Sequence, residues 1–215
     1  MPITILIADD HAMVRDGLKM ILENADGMRV VAMAADGREA VVLAEEHRPD
    51  VILMDISMPG LNGIEAARLI HERLPATRVL ILSMHHSAEH IFRALRAGAS
   101  GYLLKESAGS EVVTAVRTVL KGNRFFGKGV KQPLERRHGK DRSLQKSPLD
   151  SLSRRELEVL QLVVEGKTSV EIGEVLSLSP KSIETYRSRL MLKLVVTNIP
   201  ALVRFAMQHG IIPAD

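Results

Sequence analysis

Five polar side chains close apolar runs in the first half of the chain. Asp9 and Asp10 end Ile5-Leu6-Ile7-Ala8, and Asp55 ends Val51-Ile52-Leu53-Met54. Ser83 ends Val79-Leu80-Ile81-Leu82, and Lys105 ends Tyr102-Leu103-Leu104. Three carboxylates, a hydroxyl and an ammonium, each on a strand end, make a site for a divalent cation and a phosphoryl group. A small hard cation such as Mg²⁺, or Mn²⁺ in its place, takes oxygen ligands and commonly binds one or two carboxylates plus water and phosphate. Without a cation the crowded acids repel one another and at least one pKa rises. With one, Asp55 stays ionised and can attack an electrophilic phosphorus to form an aspartyl phosphate. The cation and Lys105 neutralise charge growing on the phosphoryl oxygens, and the Ser83 hydroxyl donates to one of them.

Such a site needs strands that end side by side. Strand-like runs start near residues 4, 30, 51, 79 and 101, separated by stretches with helical spacing such as Val14, Leu18, Ile21 and Leu22. A last helix carries Val112, Val113, Val116, Val119 and Leu120. Five strands alternating with five helices predict a parallel sheet covered on both faces. Right-handed crossovers make a doubly wound sheet of order 2-1-3-4-5 the simplest topology. In that fold ligands bind beyond the carboxyl ends of the strands, where all five side chains sit.

Composition bounds the rest. Of the 215 residues 46% are hydrophobic but only 3% aromatic, so the cores must be aliphatic. The absence of Cys excludes disulfides and thiolate metal sites. The first apolar run is too short for a signal peptide, and no stretch approaches the roughly 20 apolar residues of a membrane span. The expectation is a soluble, cytoplasmic protein without a membrane partner.

Residues 127–150 carry seven basic and three acidic side chains, punctuated by Gly127, Gly129, Pro133, Gly139 and Pro148. They read as an extended basic linker. Helix signals resume with two capping boxes, Ser153-Arg154-Arg155-Glu156 and Thr168-Ser169-Val170-Glu171. Ser179 and Pro180 then open a third helix with apolar positions Ile183, Tyr186, Leu190 and Leu194, and a fourth starts near Pro200. Four short helices make a small bundle, whose second and third have the helix-turn-helix form.

With Asp9-Asp10, Asp55, Ser83 and Lys105 in this order and context, residues 1 to about 122 resemble the receiver domain of two-component response regulators. The flavodoxin-like order 2-1-3-4-5 is the strand order of that superfamily. The resemblance implies that Asp55 is the phosphoacceptor, that Asp9, Asp10, Asp55 and the backbone carbonyl of Ser57 hold the metal, and that Ser83, Lys105 and Tyr102 take the family's hydroxyl, lysine and aromatic-switch positions.

Leu152-Ser153-Arg154-Arg155-Glu156-Leu157-Glu158-Val159-Leu160 and Leu178-Ser179-Pro180-Lys181-Ser182-Ile183-Glu184-Thr185-Tyr186 resemble the LuxR-type helix-turn-helix domain. The whole chain is similar to NarL/FixJ-type regulators: a receiver at 1–122, a linker at 123–150 and a DNA-binding domain at 151–215. An α-helix fits the major groove. Lys181, Arg187, Arg189 and Lys193 are candidates for phosphate contact, while Ser182, Glu184, Thr185 and Ser188 lie on the same helix; the resemblance puts Glu184, Thr185 and Ser188 at base-facing positions, with Arg187 as a fourth candidate reader. The implied function is transcription regulation rather than dedicated catalysis, with a histidine kinase as phosphodonor, duplex DNA as target and a homodimer as the active form. Val195 stands where the family usually has Gly, so a strained or reshaped turn is expected there.

Three rivals stay open. A phosphatase of the haloacid-dehalogenase type also uses an aspartyl nucleophile but needs a second acid where this chain has Ser57. A LuxR-type sensor would need a ligand pocket in place of the acid site. A regulator could also keep the acid site yet work unphosphorylated. His85 and His86 read as exposed loop residues rather than metal ligands.

Overall fold

The computed structural model describes residues 1–84, 87–130 and 147–212. His85, His86 and most of the expected linker therefore lie outside the described residues. The chain divides into two compact units, Met1–Pro133 and Leu134–Asp215.

In the first unit the strands are β1 (Ile3–Ala8), β2 (Met28–Ala34), β3 (Val51–Asp55), β4 (Arg78–Ser83), β5 (Gly101–Leu104) and β6 (Phe125–Phe126). They alternate with α1 (Ala12–Glu23), α2 (Gly37–His47), α3 (Gly63–Arg73), α4 (Ala88–Arg96) and α5 (Lys105–Leu120). All pairings are parallel, and the order is β2-β1-β3-β4-β5-β6. The doubly wound order expected from sequence is present, extended by one short strand. Alternation along each strand divides the aliphatic core. Leu6, Ile52, Met54, Ile81 and Tyr102 pack with α2, α3 and α4, while Ile5, Ile7, Leu53, Leu80 and Leu103 pack with α1 and α5. Both faces are thus covered, as a parallel sheet requires.

The sixth strand corrects the linker boundary set at 123. Phe125 and Phe126 pair with Gly101 and Tyr102, and the Gly127 amide donates to the Tyr102 carbonyl at 2.9 Å. A two-residue strand has no period to read. It fits because Gly101 is bare: a Cβ there would stand 2.5 Å from the Phe125 carbonyl oxygen.

The second unit begins with a 3-10 helix, Pro148–Ser151, followed by α6 (Arg154–Val164), α7 (Ser169–Leu176), α8 (Pro180–Leu194) and α9 (Ile199–Gln208). Both capping boxes form, with Glu156 and Glu171 returning their carboxylates to the Ser153 and Thr168 amides at 2.7 Å each. Such caps are worth about 1 kcal/mol each. Asn198 caps α9, which starts one residue before the expected Pro200. Leu149, Val159, Leu160, Ile172, Ile183, Leu190 and Leu202 form one aliphatic centre. Gly173 lets the turn after α7 close over it, since a Cβ would meet the Leu178 carbonyl at 2.6 Å.

Candidate functional site

Strand register brings the polar tips together. Ala8 lies beside Met54, Asp55 beside Leu82, and Ser83 beside Leu104, so Asp9, Asp55, Ser83 and Lys105 emerge from four adjacent strands at one edge. Asp9 and Asp55 are buried, as is Ser83, while Asp10 is exposed. Asn62 caps α3 through the Glu65 amide at 3.0 Å, and Gly63 lies so close to the Asp55 backbone that a Cβ would meet its carbonyl at 1.7 Å. The connection after β3 is therefore held tightly against Asp55.

The Lys105 ammonium bridges the two buried acids, 2.8 Å from Asp9 Oδ2 and 3.0 Å from Asp55 Oδ2. Burial lowers its affinity for a proton, but the two carboxylates outweigh burial and its pKa is raised. The ammonium is therefore charged at neutral pH. Burial pushes the Asp55 carboxyl up to about 6, opposed by Lys105 and reinforced by Asp9. The Tyr102 ring is wholly buried, and its hydroxyl hydrogen-bonds with Ser83; burial takes the phenol to about 12, so it stays neutral. Ser57 is half-buried in the connection from β3 to α3.

Sequence reasoning missed His11. Its amide donates to Asp9 Oδ1 at 2.9 Å, and its Nδ1 lies 2.7 Å from Asp10 Oδ1 and 3.2 Å from Asp9 Oδ1. The signal available in the sequence is its adjacency to Asp9-Asp10. One donor atom from each of Asp9, Asp10, His11 and Asp55 falls within 4.8 Å of the others. Ligands about 2.1 Å from a cation are separated by at most about 4.2 Å, so a slight closure of this set would surround one ion. The donor chemistry fits a small divalent cation.

In the second unit, α8 exposes Lys181, Glu184, Thr185, Ser188 and Arg189, with Ser182 half-buried at its start. The Thr185 and Ser188 hydroxyls donate to carbonyls one turn back, at 3.1 and 2.9 Å, leaving their lone pairs outward. Two expected phosphate contacts are engaged within the fold. Arg187 donates to Ser169 Oγ at 2.9 Å, and Ser169 in turn donates to Glu184. Lys193 donates to the buried Glu156 carboxylate at 2.7 Å. Burial alone would raise the Glu156 pKa, but Lys193 and Ser153 lower it. Val195 takes the left-handed conformation with φ 56°, so the turn keeps the backbone a Gly would adopt and its β-branched side chain makes it strained.

Residues 5–117 match the model of the response regulator receiver domain, and residues 150–206 match that of the bacterial regulatory proteins of the luxR family. The chain belongs to the response regulators. It is 38% identical over 210 residues to the transcriptional regulatory protein MctR of Rhizobium johnstonii, covering 98% of this chain and 95% of that protein. It is 37% identical over 213 residues to the response regulator UvrY of Escherichia coli K12, covering 99% and 97%. A solved structure of two RcsB dimers bound to two parallel DNAs superposes with a TM-score of 0.58 at 27% identity, covering 95% of this response regulator and 98% of that chain. Receiver and luxR-family domain together make this response regulator a DNA-binding transcription regulator of the two-component class. Among the described residues no single helix is long and apolar enough to cross a membrane.

Proposed function

We propose that Asp55 accepts a phosphoryl group from a partner histidine kinase and that this modification controls DNA binding by the second unit. The observation that carries the reading is Lys105, whose ammonium reaches Asp9 and Asp55 together. A charged lysine fixed beside a buried carboxylate suits an acceptor whose load will be more negative than itself. A carboxylate oxygen of Asp55 attacks phosphorus, the P–N bond to the donor imidazole breaks, and the imidazole leaves with that electron pair. Asp9, Asp10, Asp55 and the Ser57 carbonyl would hold a divalent cation, Mg²⁺ or Mn²⁺, which supplies charge neutralisation for the transfer. Lys105 then pairs with the phosphoryl oxygens, and Ser83 donates its hydroxyl to one of them. In doing so Ser83 gives up its present bond with Tyr102, which makes Tyr102 the side chain that responds.

On the DNA side, Thr185 and Ser188 face the base edges, and Glu184 joins them by releasing the Ser169 hydroxyl, with Lys181, Ser182 and Arg189 toward the backbone. A carboxylate such as Glu184 accepts from the cytosine amino group. The RcsB dimers on DNA support a homodimer here. A DNA target supports a cytoplasmic setting. The protein acts as a phosphoacceptor and not as a dedicated catalyst.

The test is a mobility-shift titration of wild type and Asp55→Ala, with and without an acyl-phosphate donor. Wild type should bind DNA more tightly when phosphorylated, and Asp55→Ala should not respond. Equal affinities in all four conditions would remove phosphorylation as the control.

A further inference from the structure

We infer that His11 is a nitrogen ligand of the acid site and biases that site toward later divalent metals over Mg²⁺. The inference rests on the phosphoacceptor reading for the existence of the cation site and adds its selectivity. His11 occupies the N-cap of α1, yet its side chain makes no capping hydrogen bond. Its ring turns to the acids instead, with Nδ1 2.7 Å from Asp10 Oδ1 and 3.2 Å from Asp9 Oδ1. The loop that carries it is anchored, because Arg15 donates to the Asp9 backbone carbonyl at 2.6 Å.

The two edges of Asp9 are used differently. Its Oδ2 faces Lys105 at 2.8 Å, whereas its Oδ1 faces the His11 amide and ring. Lys105 also takes Asp55 Oδ2. A cation is therefore directed to the side of the cluster opposite the ammonium, the side where Nδ1 stands. The imidazole is 64% exposed, so it can turn by its own torsions to present a lone pair without unpacking the core.

Mg²⁺ is hard and prefers oxygen, and an imidazole adds little to its binding. Affinity of mixed nitrogen and oxygen sites rises along Mn²⁺, Co²⁺ and Ni²⁺, so a nitrogen donor separates these ions where an all-oxygen cage separates them less. The site should accept Mg²⁺ when it is abundant and prefer Mn²⁺ or Co²⁺ at equal concentration.

The experiment measures Mg²⁺, Mn²⁺ and Co²⁺ binding to the full chain as wild type, His11→Gln, His11→Ala and Asp55→Ala. Electron-spin-echo spectra of the Mn²⁺ complexes provide a second readout. Wild type should show ¹⁴N modulation that both His11 variants lack. Their Co²⁺ over Mg²⁺ preference should fall about tenfold with Mg²⁺ affinity nearly unchanged. If the variants keep the wild-type preference, or wild-type Mn²⁺ shows no ¹⁴N modulation while Asp55→Ala loses every ion, the His11 inference alone is overturned. If wild type binds no ion, or Asp55→Ala binds all three as wild type does, the cation site itself fails and the inference falls with it.

Discussion

Lys193 donates to the Glu156 carboxylate at 2.7 Å and so ties the end of α8 to the start of α6. Glu156 is buried, and the same Oε2 receives the Ser153 amide and hydroxyl. A lysine expected from its place on the helix to meet phosphate also serves as the counter-charge of a buried acid.

Lys193→Met should therefore cost stability more than affinity. Stranding a buried carboxylate costs several kcal/mol when the partner is fully enclosed, but Lys193 is 40% exposed and solvent can partly replace it. The expected loss is about 1–2 kcal/mol by denaturant titration. The salt slope of DNA binding should be unchanged, whereas Arg189→Ala should reduce it by about 1. A reduced slope in Lys193→Met would return that residue to the DNA face.

The same pair sets an acid dependence. Glu156 holds its proton less tightly folded than unfolded, so its contribution is full above the ordinary carboxylate range and is lost as pH falls through and below it. Wild type should lose stability on acidification more steeply than Lys193→Met. Parallel pH curves for the two proteins would contradict this.

Asp55 works in the opposite sense in metal-free protein. Its folded pKa of about 6 lies above its unfolded value of 3.8, so protonation favours the fold. Stability from this group is full below the unfolded value and is lost as pH rises through about 6. Asp55→Asn should flatten that slope and raise stability at pH 7 by about 3 kcal/mol. Urea melts between pH 4 and 7.5, with chelator present, measure it. A slope that survives in Asp55→Asn would place the proton elsewhere.

Val195 sits at φ 56° with its side chain 88% exposed, so it is strained without compensating burial. A left-handed residue with a Cβ costs about 1–2 kcal/mol, part of which glycine returns as unfolded-chain entropy. Val195→Gly should stabilise the second unit by about 1 kcal/mol in thermal or chemical unfolding. Loss of stability would mean that the branched side chain makes a contact worth more than the strain.

Gly63→Ala should be severe, because the new Cβ would overlap the Asp55 carbonyl oxygen at 1.7 Å. Either α3 or the tip of β3 must move. The expected result is a loss of about 3 kcal/mol or more, and slower phosphorylation from an acyl-phosphate donor in whatever protein folds. Wild-type phosphorylation and stability together would show that the connection is not rigid.

Local pattern determined a great deal by itself. Apolar runs ending in Asp9, Asp55, Ser83 and Lys105 specify parallel strands whose tips carry chemistry, because a strand buried on both faces can admit polar groups only at its ends. Capping boxes at Ser153 and Thr168, and Ser179 before Pro180, mark helix starts through contacts within four residues. Val195 announced its strained turn for the same reason: left-handed backbone is a property of one residue and its nearest neighbours. What only the tertiary structure decided depends on residues distant in the chain. Lys193 and Arg187 look alike in sequence to Lys181 and Arg189, yet Glu156 and Ser169 claim the first two. The two-residue β6 exists because Gly101 leaves room beside it. Charge and shape at a point in space are summed over whatever the fold brings there, and a linear pattern carries only the neighbours along the chain.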